Sequence, residues 1–126
     1  MSTRKENKTV FKFFQDLELN TQMYHWLTES YSRHMGSDKL YKNILETTDK
    51  FIEVYIGRYG RPKFSQDTIT IKKMTDEEFV LYLKKSVEFL ENKIIIFFKP
   101  KDTDLLNIRD ELIAQINQAL YLFTLN

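Results

Sequence analysis

From about Asn7 to Leu27, apolar residues return every three or four positions: Val10, Phe11, Phe14, Leu17, Met23, Tyr24 and Leu27, with polar residues between them. That is the period of an α-helix with one buried face, and it predicts a first helix over this span. The polar cluster Thr28 to Ser32, rich in residues that cap helices and make turns, interrupts it. The pattern resumes through Met35, Leu40, Tyr41, Ile44, Leu45, Phe51, Ile52 and Tyr55. A second helix is expected from about Ser32 to Ile56, stopped by Gly57, Gly60 and Pro62.

Arg61 to Met74 alternates only weakly, around Ile69 and Ile71, and reads as an extended connection with room for one short strand. Thr75-Asp76-Glu77-Glu78 has capping-box spacing, the hydroxyl serving one orphan amide and Glu78 reaching back to another, and it opens a third helix through about Phe97. Ile94 to Phe98 suits a strand by propensity, but it continues the helical pattern that begins at Phe79. Pro100 ends the third helix. Asp102 or Thr103 then caps a fourth, with Leu105, Leu106, Ile108, Leu112, Ile113, Ile116, Leu120 and Leu122 as its buried stripe. The expected fold class is all-α, an antiparallel four-helix bundle whose long second-to-third connection is a crossover. One domain over residues 1–126 is expected, with residues 1–8 as a flexible tail.

Composition narrows the chemistry. Three glycines and two prolines in 126 residues are too few breakers for a strand-and-turn protein. Nineteen basic against 18 acidic residues leave a net charge of +1, so no whole-molecule field steers the chain onto nucleic acid or an anionic membrane. The absence of cysteine excludes disulfides, thiolate metal sites and cysteine nucleophiles. The amino terminus lacks the apolar core of a secretory signal, and the longest purely apolar run, Ile94 to Phe98, is far short of a membrane span. A soluble, cytoplasmic protein is the expectation.

The second helix carries the candidate chemistry. His34 and Asp38 are four apart, as are Asp49 and Glu53, so each pair shares a helix face. Acidic pairs at this spacing commonly do no more than solvate a helix. On one helical wheel, however, all four fall at about 0°, 40°, 60° and 100°, a single stripe. Along the axis His34 and Glu53 are roughly 28 Å apart, so one chain does not close them around one ion. His34 with Glu53, and Asp38 with Asp49, share a midpoint between residues 43 and 44. Two such helices packed antiparallel about a two-fold axis near Asn43 and Ile44 set His34 against a partner's Glu53, and Asp38 against a partner's Asp49. Each resulting site has an imidazole and three carboxylates, a donor set suited to iron(II) or manganese that also accepts zinc. The turn at Thr28 to Ser32 folds the first helix back beside the second, which brings His25 towards His34.

These motifs resemble the Dps-like ferritins, the mini-ferritins that include the DNA-binding protein from starved cells. That family carries an HW pair, then H-x3-D, then D-x3-E, matched here by His25-Trp26, His34 to Asp38 and Asp49 to Glu53, with the same eleven-residue step from Asp38 to Asp49. Asp104 to Asn107 through Leu120 to Phe123 also looks like the family's last bundle helix. The chain looks most like the short Dps-like proteins of large DNA viruses and phages, whose HW-x-T, D-x-F-x-E and G-x-x-G-R patterns it also carries. Two features depart from the pattern: His25 and His34 are nine apart rather than the usual twelve, and the amino-terminal extension is short, with Arg4, Lys5 and Lys8 as its only basic residues.

The resemblance implies a ferritin-like fold and a ferroxidase-type centre at a dimer interface, with iron as the metal and His25, His34, Asp38, Asp49 and Glu53 as ligands. It implies that Trp26 lies beside the site, although a large aromatic at a helix end commonly packs in a core. It further implies a homodimer, with a dodecameric shell as the larger assembly, in host cytoplasm or virion. A second reading is a non-catalytic structural or interaction protein on the same scaffold, since fold does not fix function. A third, not favoured, is nucleic-acid contact through Arg58, Arg61 and Lys63, residues that equally well solvate a helix end.

Overall fold

The computed structural model describes residues 4–125, with side chains from Asn7 onward. Helix α1 spans Arg4–Leu27, α2 Tyr31–Tyr59, α3 Asp76–Glu88 and α4 Thr103–Leu122. The protein is all-α, with no strand among the described residues, so neither the Ile69–Ile71 segment nor Ile94 to Phe98 is extended into a sheet. The expected tail over residues 1–8 is helical from Arg4 on, and residues 1–3 lie outside the described residues.

The α1–α2 turn is short because its polar residues take over the backbone's orphan groups. Ser30 is the N-cap of α2, its hydroxyl accepting from Arg33 N at 3.2 Å. At the other end Gly60, at φ 82°, turns the chain out of the helix while its N–H still reaches Ile56 O at 2.7 Å. Few residues other than glycine adopt that conformation cheaply. The Thr75 capping box forms at the start of α3 with both of its reciprocal bonds, 2.9 and 3.1 Å.

Beyond Glu88 the helical path continues to Phe97, as expected, but not as one regular helix. Phe89–Lys93 is a π-helical turn, in which Ile94 N–H reaches back to Phe89 O, and Ile94–Phe97 tightens to a 3-10 turn. The wide turn leaves the Leu90 carbonyl to Arg109 of α4, at 3.2 Å. Asp102 stands at the N-cap of α4, yet its side chain makes no capping bond there. It accepts instead from Lys99 N at 3.0 Å, from the Tyr59 hydroxyl and from Arg58.

Contacts along the helices fix their directions. Asn7 meets Tyr55 and His25 meets His34, so α1 and α2 are antiparallel. Gln115 meets Thr47 and Asp104 meets Arg58, so α2 and α4 are antiparallel. Asp16 meets Tyr82 and Tyr24 stacks on Phe79, so α1 and α3 are antiparallel as well. The segment from Gly60 to Thr75 must therefore carry the chain from one end of the packed helices to the other. It is fastened to α1 on the way: Asn20 donates to Thr70 O at 3.0 Å and accepts from Lys72 N at 3.3 Å. One core runs through all four helices, including Phe14, Leu17, Ile44, Phe51, Leu83 and Ile116, each almost wholly buried. Met35 and Leu45, which the pattern assigned to the apolar face, are 49% and 39% exposed.

Candidate metal centre

The nine-residue interval does not separate the two histidines. Their rings stack at 4.1 Å between centroids, tilted by 17°. His25 sits in the last turn of α1 and His34 in the first turn of α2, and the backbones lock them reciprocally. His25 Nδ1 donates to His34 O at 2.9 Å and His34 Nδ1 donates to His25 O at 3.0 Å. Ser37 braces the pair, its hydroxyl donating to His34 O at 3.2 Å and lying 3.3 Å from His25 Nδ1.

These bonds set the tautomer. A carbonyl accepts only from N–H, so each neutral imidazole carries its proton on Nδ1 and keeps a lone pair on Nε2. This is the arrangement by which metal-ligating histidines are oriented. One of those lone pairs faces a carboxylate: His25 Nε2 lies 3.8 Å from Asp38 Oδ1, with the His25 side chain only 13% exposed. A proton on Nε2, giving an ion pair, or a cation beside the two atoms would each satisfy this contact. The other oxygen of Asp38 is held by Lys42 at 3.0 Å, and that hydrogen bond keeps the Asp38 carboxyl below its ordinary pKa.

Asp49 and Glu53 are not brought to this cluster. Both are exposed farther along α2. Among the described residues no three His, Asp or Glu side chains of the chain are arranged to hold a metal ion. The structure thus sets His25 beside His34 and beside Asp38 without arranging the three around one ion, and leaves the Asp49–Glu53 pair apart, as the axial spacing requires. The midpoint residues need a correction. Ile44 is wholly buried in the core, so it does not face outward at the level of the proposed axis. The stripe's own residues at that level are Lys42 and Leu45, both exposed and symmetric about the same midpoint.

Trp26 is 61% exposed and does not pack in the core. Arg58 forms ion pairs with Asp102 Oδ1 at 3.1 Å and Asp104 Oδ1 at 2.9 Å, tying α2 to the start of α4, so its charge is already answered. Lys63 is exposed in the connection, as is Arg61.

Sequence reading missed one titratable group. Glu18 of α1 is partly buried beside Asp49, and burial first, with the Asp49 charge second, pushes its pKa from 4.5 up to about 7. No spacing motif on α1 signals this, because the cause is the neighbouring helix. Lys42 and Ser37 were also passed over, although the i, i+4 relation of Asp38 and Lys42 was available.

Residues 25–123 match a protein family described as a family of unknown function (DUF5856). The chain belongs to this family. The matched span begins at His25 and takes in all of α2, α3 and α4, so the histidine pair, Asp38, Asp49 and Glu53 all lie inside it. No curated protein and no solved structure matches the chain. No helix among the described residues is long and apolar enough to cross a membrane.

Proposed function

We propose that this member of the family is a ferritin-like protein of the Dps type. It binds iron(II) as substrate at a centre shared across a two-fold dimer interface, oxidises it to iron(III) with dioxygen or peroxide as the oxidant that accepts the electrons, and stores the product. His25, His34 and Asp38 come from one chain, and Asp49 and Glu53 from the partner chain. The observation that carries this reading is the reciprocal Nδ1–carbonyl locking of His25 and His34, which leaves an imidazole lone pair opposite the Asp38 carboxylate. Three donors on one chain, with two carboxylates displaced along the same helix, are what a shared centre would need. The antiparallel helix pairs and the long second-to-third connection agree with a ferritin-like bundle.

In this reading the histidines and carboxylates bind and orient iron(II), and the metal with its oxidant supplies the redox chemistry. The exposed apolar side chains Tyr31, Met35 and Leu45 on α2 also favour a second reading, a dimer held by packing alone in which the polar stripe binds zinc or no metal. Oxidant consumption on adding iron(II), measured for the wild type and for Glu53→Ala, separates the two. Turnover abolished in a variant that stays dimeric supports the shared centre. A wild type that neither binds iron(II) nor consumes oxidant overturns it.

A further inference from the structure

A cleft of about 310 Å³ opens between the turns that follow α3 and the first half of α4. It lies towards the end of the molecule where Arg58 meets Asp104, whereas the histidine pair is at the other end of α2. Ile95, Phe98 and Leu106 give it an apolar floor, and Glu91, Lys99 and Arg109 stand round its rim. Arg109 is held from two sides: Nη1 donates to Leu90 O at 3.2 Å and Nε to Asp110 Oδ1 at 2.8 Å, and the side chain is only 16% exposed. Those bonds use Nε and Nη1, and Nη2 has no acceptor among the described residues. The bond to Leu90 O brings the guanidinium within one residue of Glu91, yet these two form no ion pair among the described residues. Asp110 lines a neighbouring depression and not this cleft. A fixed cation and a carboxylate therefore share the edge of an apolar hollow without answering each other.

We infer that this cleft binds a free α-amino acid with a large apolar side chain, its carboxylate on Arg109 and Lys99, its ammonium on Glu91 and its side chain on Ile95, Phe98 and Leu106. The volume is too large for one ion and falls at the small end of ligand pockets. A carboxylate accepts from guanidinium and ammonium N–H groups, and a ligand ammonium donates to Glu91. A simple anion leaves Glu91 facing a like charge, a simple amine does the same to Arg109 and Lys99, and an apolar molecule leaves all three unanswered. Charges of both signs on neighbouring atoms occur together in a free amino acid, whereas either terminus of a peptide carries only one of them. Because Leu90 O and Asp110 already fix the guanidinium, little of its side-chain freedom is lost on binding.

The probe is L-leucine, titrated into the full chain after chelator treatment and followed by amide shifts. Saturable shifts are expected at Glu91, Ile95, Lys99 and Arg109. Binding should be weaker for leucine amide, which lacks the carboxylate, for isocaproate, which lacks the ammonium, and for glycine, which lacks the side chain. Glu91 is exposed, so Glu91→Gln keeps the core intact. This variant is expected to bind L-leucine about tenfold more weakly, the loss of one charge-assisted hydrogen bond, and to bind isocaproate no more weakly than the wild type does. Shifts that do not saturate or that fall elsewhere overturn the inference. So does binding of isocaproate, leucine amide or glycine as tight as that of L-leucine, and so does a Glu91→Gln variant that keeps its leucine affinity or loses both ligands alike. None of these residues is among the proposed iron ligands and the protein is metal-free in these measurements, so failure here and failure to bind iron(II) are separate results.

Discussion

At the residue scale, two side chains outside the motif give the sharpest tests. Glu18 ionises with difficulty because it is partly buried and faces Asp49, which puts its pKa at about 7 instead of 4.5. The folded chain therefore holds this proton more tightly than the unfolded chain. Its contribution to stability is fully present below pH 4.5 and is lost as pH rises towards 7. In the metal-free protein, Glu18→Gln should unfold at the wild-type denaturant midpoint near pH 4.5. It should be more stable at pH 8, by on the order of 1 kcal/mol after allowing for solvent screening of a group that is only half enclosed. Equal pH profiles for the two proteins refute the assignment. Lys42 acts in the opposite sense on Asp38: it neutralises a carboxylate that the proposed centre requires. Lys42→Gln should change stability by no more than about 0.5 kcal/mol, the value of an exposed i, i+4 pair. It should tighten iron(II) or zinc binding by about fivefold, because a nearby positive charge is removed. Weaker metal binding in this variant argues that Lys42 positions Asp38 rather than competing for it. The His25, His34 and Asp38 grouping was legible because helical spacing and a short turn determine it. Glu18 was not, because its environment is made by a helix some thirty positions away in sequence.

Among the elements, what could be read from the sequence followed from period and punctuation. The capping box at Thr75 to Glu78 is a local device and occurs where those residues stand, whereas the stop expected after Ile56 falls at Gly60, the helix running through Gly57. The change of helical geometry at Phe89 to Phe97 was not legible, since it depends on Arg109 of α4 accepting the role of partner to the Leu90 carbonyl. Asp102 stands at the N-cap as expected, but for a similar reason its side chain is drawn to Lys99 N, Tyr59 and Arg58 instead of capping α4. The connection between α2 and α3 lacks a hydrophobic pattern of its own and depends on tethers. Asn20, almost wholly buried, supplies the clearest one, holding Thr70 O and Lys72 N with a single amide. Asn20→Ala leaves both backbone groups to find water at the edge of the core, at a cost of about 2 kcal/mol. Hydrogen exchange at Thr70 to Lys72 should accelerate in this variant more than exchange in α4. Uniform acceleration across all four helices would show that Asn20 stabilises the whole core and not the connection.

For the whole molecule, the question is whether a site left incomplete in one chain is completed by another. The proposed donors fall into two sets on α2 and its neighbour, His25, His34 and Asp38 at one end and Asp49 and Glu53 farther along. The roughly 28 Å between the ends cannot be closed within a rigid helix. A two-fold dimer predicts complementation between chains that each lack a different set. His34→Ala alone and Glu53→Ala alone should both be inactive in iron(II) oxidation, because every site in either homodimer has one defective half. In a heterodimer of the two, one site collects both defects and the other collects neither. Random reassembly of an equal mixture makes half the dimers hetero, each with one sound site of two, so activity should return to about a quarter of the wild-type value. The measurement is oxidant consumption after unfolding and refolding the two variants together, compared with refolding them apart. A centre built within one chain gives no recovery, since neither polypeptide carries a full donor set. Recovery without co-refolding, on simple mixing, would mean that subunits exchange freely, and it would still require ligands from two chains.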